Sequence, residues 1–258
     1  MLTVVEHPGT RIGELEFVTD LSPAAWIAEQ IHGFGHDVGS IIPEGFARYA
    51  RVFHPARRLN DQTNSNPGYQ AVRWSDIAAS NGTVMHPEAQ FEAISGADPW
   101  HNHQPGLWDT APQVGELPHD VAARLVDVLG RQTSTPQRCW FCVWEGWGGL
   151  PSPSQDRVRL PQRNYLLAAA PISATLGAFE RIGAPGPSLW WPDDRAWIVA
   201  TEIDHRWTYV GGSTDCIDAV LSDPHLEALP TERDHRFTID SDPINPLPEA
   251  ITNRYLKP

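Results

Sequence analysis

The chain has 258 residues, 41% hydrophobic and 20% charged, with a net charge of −13. It is long enough to bury a sizeable core, and no run of about 18 apolar residues offers a membrane-spanning helix. The surplus acid argues against a nucleic-acid backbone as partner, because phosphates need clustered cations.

In chain order, the N-terminal stretch MLTVVEHPGTRIGELEF has no basic region followed by an apolar block. A secretory leader is therefore not expected, and the expected location is the cytoplasm. Ser22-Pro23 opens a helix that carries Trp26, Ile27 and Ile31. Residues 58–68, 96–115 and 149–156 are polar or rich in Gly and Pro and read as loops. From Pro118, Val121, Leu125, Val128 and Leu129 recur at i, i+4, i+7 and i+8, one apolar stripe of a helix that ends near Gly130. Cys139–Trp144 is apolar on both faces, as a central buried strand requires. Residues 164–168 add a strand and 172–182 a helix closed by Gly183. Alternation over 196–204 puts Trp197, Val199, Thr201 and Ile203 on one face and Ile198, Ala200, Glu202 and Asp204 on the other. A hairpin turn at 204–207 leads back into a strand at 208–210. A helix then spans 213–221, capped by Ser213 or Thr214. Strands and helices mix without strict β-α-β alternation, so the expected class is α+β: one domain with a largely antiparallel sheet, divisible into a lobe 1–115 and a Trp-rich lobe 116–258.

Seven of the eleven tryptophans lie between Trp140 and Trp207. Trp140, Trp144 and Trp197 sit on strands and are expected in the core. Trp190 and Trp191 are adjacent in a Gly/Pro-rich approach to a strand, where two large aromatics in sequence do not both point inward easily. One of them, together with Trp147 among glycines, is expected half-exposed as a partner anchor, with Arg195 nearby.

The candidate chemistry is sparse. Cys139 and Cys142 have C-x-x-C spacing, but residues i and i+3 of a strand point to opposite faces, so both are expected in the core. Cys216 stands alone, and three cysteines make no disulfide framework. His101 and His103 are the candidate metal ligands, without a third ligand at fixed spacing. The polar cluster Asp193, Asp194, Arg195, Glu202, Asp204 and His205 is the best enzyme-type site, unless Arg195 neutralises one carboxylate. Gly211-Gly212-Ser213 before a helix has the form of an anion cradle. Walker, dinucleotide, nucleophile-elbow and kinase signatures are absent, so no cofactor is expected. Of 19 cationic residues only Lys257 is lysine, which fits GC-rich coding. Residues 214–249 hold nine Asp and Glu against two Arg, a face suited to a basic protein.

The segments LWWPDDRAWIVATEID, TYVGGS and CWFCVWEGWG resemble an uncharacterised family of proteins from high-GC Gram-positive bacteria, over about Tyr49 to Leu229. The resemblance implies a bacterial cytosolic protein and transfers no functional residue. The first functional expectation is an interaction protein, an immunity- or antitoxin-like inhibitor that binds a protein partner. The alternative is a small hydrolase or metal-dependent enzyme using Glu202, Asp204 and His205.

Overall fold

In chain order the computed structural model contains β1 (Thr10–Ile12), β2 (Leu15–Phe17), α1 (Ala25–Ala28), β3 (Arg48–Phe53), β4 (Ala56–Leu59), β5 (Tyr69–Val72), α2 (Trp74–Asn81), α3 (Phe91–Ser95) and α4 (His119–Leu129). There follow β6 (Cys139–Trp144), β7 (Val158–Leu160), β8 (Arg163–Ala170), β9 (Leu189–Pro192), β10 (Trp197–Ala200), β11 (Trp207–Gly212), α5 (Thr214–Ser222), β12 (Ala228–Thr231) and α6 (Glu249–Ile251). The described residues are 10–60, 68–97, 103–148, 150 and 156–253. Ten strands form one antiparallel sheet in the order β1-β2-β8-β6-β9-β10-β11-β3-β12, with β7 also paired to β8, while β4 and β5 form a separate hairpin. The class is α+β, as the mixed pattern predicts. β3 lies between β11 and β12, so segments from before and after residue 115 interleave in one sheet and do not form two lobes.

Both faces of this sheet are buried. Along β6, Trp140 and Cys142 enter one core, and Cys139, Phe141 and Val143 enter the other. The same alternation sends Leu189 and Trp191 of β9 to the first core and Trp190 to the second. Along β10, Ile198 and Ala200 face the first, and Trp197 and Val199 the second. α2, α3 and the segment around α1 cover the first face; α4, α5 and the 3-10 turns after β8 cover the second. The helix predicted from Pro118 is α4, with Val121, Leu125, Val128 and Leu129 all buried.

The structure corrects several expectations. Trp190 and Trp191 are both 0% exposed. Adjacent aromatics can both be buried when each face of the strand has its own core, so neither is a half-exposed anchor. The helix expected over 172–182 is two 3-10 segments, Ile172–Thr175 and Glu180–Ile182. Gly177 between them has φ +117°, a conformation outside the helical region. The strand expected over 196–204 stops at Ala200, where its partner β9 ends: the register closes on Ala200 opposite Leu189.

Gly211 and Gly212 serve close packing. A Cβ at Gly212 would sit 2.9 Å from the Cys216 sulfur, and one at Gly211 would sit 3.0 Å from Phe46 and Tyr49 carbons. The Ser213 side chain already accepts from the Cys216 amide. The segment thus seats α5 on the sheet, and its capping serine occupies the role an anion would take.

Trp190→Ala and Trp191→Ala should each lower stability by about 3–5 kcal/mol, read from urea unfolding midpoints at unchanged slope. A loss below about 1 kcal/mol from either change would contradict its place in a core.

Candidate functional site

Three chain segments meet at one end of the sheet: the exit of β6 at Trp144, the entry of β8 at Arg163, and the turn 201–206 that joins β10 to β11. Arg163 organises them. Its Nε donates to Glu202 Oε1 at 3.1 Å, and its Nη2 donates to the same oxygen and, at 3.0 Å, to Asp204 Oδ2. Glu202 Oε2 accepts from the Ile203 amide at 2.7 Å. Burial works against the Arg163 charge, but the hydrogen bond and charge of Glu202 outweigh it and raise the guanidinium pKa. Its carbon lies 4.9 Å from the Phe34 ring centroid and 5.9 Å from that of Trp144. Trp144 meets Trp147 edge to face at 5.3 Å. The result is a row, Phe34–Arg163–Trp144–Trp147, in which Phe34 is 38% exposed and both tryptophans are half-buried.

The cavity beneath the row, lined by Phe34, Leu160, Arg163, Tyr165, Thr201 and Glu202 among others, is about 30 Å³. That is room for a water or two, too little for a substrate.

The predicted polar cluster separates. Asp193, Asp194 and Arg195 lie in the turn before β10, and Glu202, Asp204 and His205 lie after it. A strand of this length holds the two groups roughly 15 Å apart. Asp193 accepts from the Trp140 indole N–H at 2.7 Å. Asp194 accepts from the hydroxyls of Thr133 and Ser134 and from two backbone amides. Burial opposes its charge, yet the Ser134 and Thr133 donors prevail and lower its pKa. Arg195 is exposed and lies 5.4 Å from the Trp26 ring. The arginine that neutralises Glu202 is therefore Arg163, distant in sequence, and not Arg195.

His205 leaves the carboxylates for the core. Its ring stacks on Trp207 and meets Phe237 edge-on, both at 4.5 Å. Burial, then the nearby Arg51 charge, lowers its pKa to about 3. The turn that carries it is pinned by Gly115, whose amide donates to the His205 carbonyl at 2.8 Å. Gly115 has φ +73°, and a Cβ there would lie 2.1 Å from the Ile203 carbonyl oxygen, so only glycine fits.

Beside it runs a buried chain that the sequence did not reveal. His54 Nδ1 lies 3.3 Å from the Gln113 carbonyl, His54 Nε2 lies 2.9 Å from Thr208 Oγ1, and Thr208 Oγ1 lies 2.8 Å from Thr201 Oγ1. A carbonyl only accepts, so Nδ1 carries the proton. Burial lowers the His54 pKa to about 3, so the ring is neutral and Nε2 accepts from Thr208. Thr208 in turn accepts from Thr201. Every member is satisfied, and an imidazole this reluctant to take a proton is a poor general base at neutral pH.

Cys139 and Cys142 are free, buried and on opposite faces, as the strand spacing predicts. Burial raises both thiol pKa values, that of Cys139 to about 12. His103 is exposed, and His101 lies outside the described residues. Among the described residues no group of three or more His, Cys, Asp or Glu side chains converges as a metal site, and no helix is long and apolar enough to cross a membrane.

Comparison of the chain with protein-family models, with curated proteins and with solved structures finds no match.

Two measurements check this geometry. Cys139, Cys142 and Cys216 should resist thiol reagents in the native protein and react together only on unfolding; rapid native labelling of Cys139 and Cys142 would contradict their burial. His54 and His205 stay neutral when folded and take up protons when unfolded, so their contribution is complete above the unfolded pKa of about 6.5 and is lost as pH falls toward about 3. Stability from urea titrations should fall between pH 7 and pH 5 by on the order of 2 kcal/mol for each histidine. His54→Gln should flatten that slope.

Proposed function

We propose that the protein is a cytoplasmic bacterial interaction protein, an inhibitor of the immunity or antitoxin type, that docks a basic protein partner on the row Phe34–Arg163–Trp144–Trp147 beside Asp204. The observation that carries this reading is the fixation of Arg163. Two carboxylates hold its guanidinium between two aromatic rings at the protein surface. Arginine and tryptophan are the side chains that dominate interface energies, and a side chain already locked in place loses little freedom on binding. Asp204, 73% exposed, keeps oxygen lone pairs available for a cation of the partner. The net charge of −13 favours encounter with a basic surface.

The enzyme alternative has less support. Glu202 is saturated by Arg163 and the Ile203 amide, and His205 is stacked in the core, so the three side chains do not converge on a reacting atom.

The partner recovered from the native host and purified should bind Phe34→Ala or Asp204→Arg about 30-fold more weakly than the parent, in line with a hot-spot loss of about 2 kcal/mol. Both variants should keep the parental melting temperature, because neither side chain is buried. Unchanged affinity in the double variant, measured by titration calorimetry, would refute this surface.

A further inference from the structure

Arg51 lies mid-strand in β3 and is 1% exposed. Its Nη1 donates to the Pro87 carbonyl at 2.7 Å. Its Nε and Nη2 have no partner among the described residues. The guanidinium carbon lies 3.8 Å from the Trp207 ring centroid, 4.9 Å from that of Phe53 and 5.9 Å from that of Trp74. His205, stacked on the same Trp207, is 8% exposed, and its Nδ1 is also unpartnered. Buried guanidinium N–H groups are normally paired, because removing them from water without a partner is costly. The aromatic faces attract the charge but cannot accept those hydrogens as an oxygen would.

The nearest carboxylates are committed elsewhere. Glu88 and Asp242 act on Arg51 through their charge, but their oxygens close a clasp between two irregular segments, 84–90 and 236–245. Asp242 bonds His86 at 2.8 Å and the Gln90 amide at 3.2 Å; Glu88 accepts from the Arg236 amide at 2.9 Å; Asn245 accepts from the Val84 amide at 2.8 Å. Pro87 of one segment covers Arg51, and Phe237 of the other covers His205. Neither segment contains a helix or strand, and these side-chain bonds join one to the other.

We propose that Arg51 and the aromatic rings around it form a binding site for a small carboxylate, closed in this structure and entered when the clasp opens. The Arg51 Nε–H and Nη2–H take the two carboxylate oxygens as a fork. Phe53, Trp74 and Trp207 enclose the apolar remainder of the ligand. This site is in the core and distinct from the exposed row, so either can fail without the other.

The test is the melting temperature of the full chain in sodium acetate and sodium benzoate, with ionic strength held by sodium chloride. Both carboxylates should raise it by several degrees and saturably, because the ligand binds only the folded state, with benzoate effective at lower concentration. Sodium phosphate should not. Arg51→Met should abolish the shift and leave the ligand-free melting temperature equal or higher, since it removes an unpaired buried charge. No shift with either carboxylate, or an equal shift in Arg51→Met, overturns the proposal. A lowered melting temperature in Arg51→Met without any carboxylate effect assigns Arg51 to the scaffold, with only water at its free donors. Should that variant fail to fold, the wild-type Trp207 indole 15N–1H resonance must move saturably with benzoate, and its immobility overturns the proposal equally.

Discussion

Burial of the sheet on both faces is the constraint on which the rest of this structure depends. Antiparallel sheets commonly leave one face to water; here the central strands β6, β9, β10 and β11 are covered on both sides. Every position along them must then be apolar or internally paired. That explains why large aromatics occupy consecutive positions such as Trp190 and Trp191, and why Gly211 and Gly212 are needed where α5 and the Tyr49 ring press against the sheet. It also explains the thiols: Cys139 and Cys142 fill space in different layers.

A sheet without a wet face pushes its chemistry to the strand ends and turns. Polar groups that remain inside must satisfy one another, and the chain His54–Thr208–Thr201 does so with neutral partners throughout. The Arg163–Glu202 pair follows the same rule with charged ones. Replacing such a pair by apolar residues is often no less stable, so its consequence here is positional: it sets the guanidinium between Phe34 and Trp144. Arg51 departs from that rule, a cation in the same core layer with donors left over, as do the His205 ring and the Trp190, Trp191 and Trp207 indoles. The contrast between these two arginines separates a fixed surface from an unfinished interior.

Much of the architecture was legible in the sequence, because it follows from local periodicity. The α4 stripe, the two-faced apolar run of β6 and the Ser213 cap all depend on residue order alone, and each appears where its spacing puts it; the β10–β11 hairpin also forms, with its turn beginning earlier, after Ala200. Cys139 and Cys142 lie on opposite faces for the same reason, since strand alternation is a property of the backbone. What sequence did not determine was which strands besides β6 have a second layer. A strand pattern shows that one face is apolar; whether the opposite face meets water or another core depends on helices distant in the chain. That undecided point misplaced Trp190 and Trp191 at the surface. The partner of Glu202 was hidden likewise, because Arg163 lies 39 residues away and is brought beside it by β8 and β10 ending at the same edge. Arg51, His54 and Thr208 carried no signal at all: their roles arise from cross-strand pairing, which residue order does not encode and only the packed sheet decides.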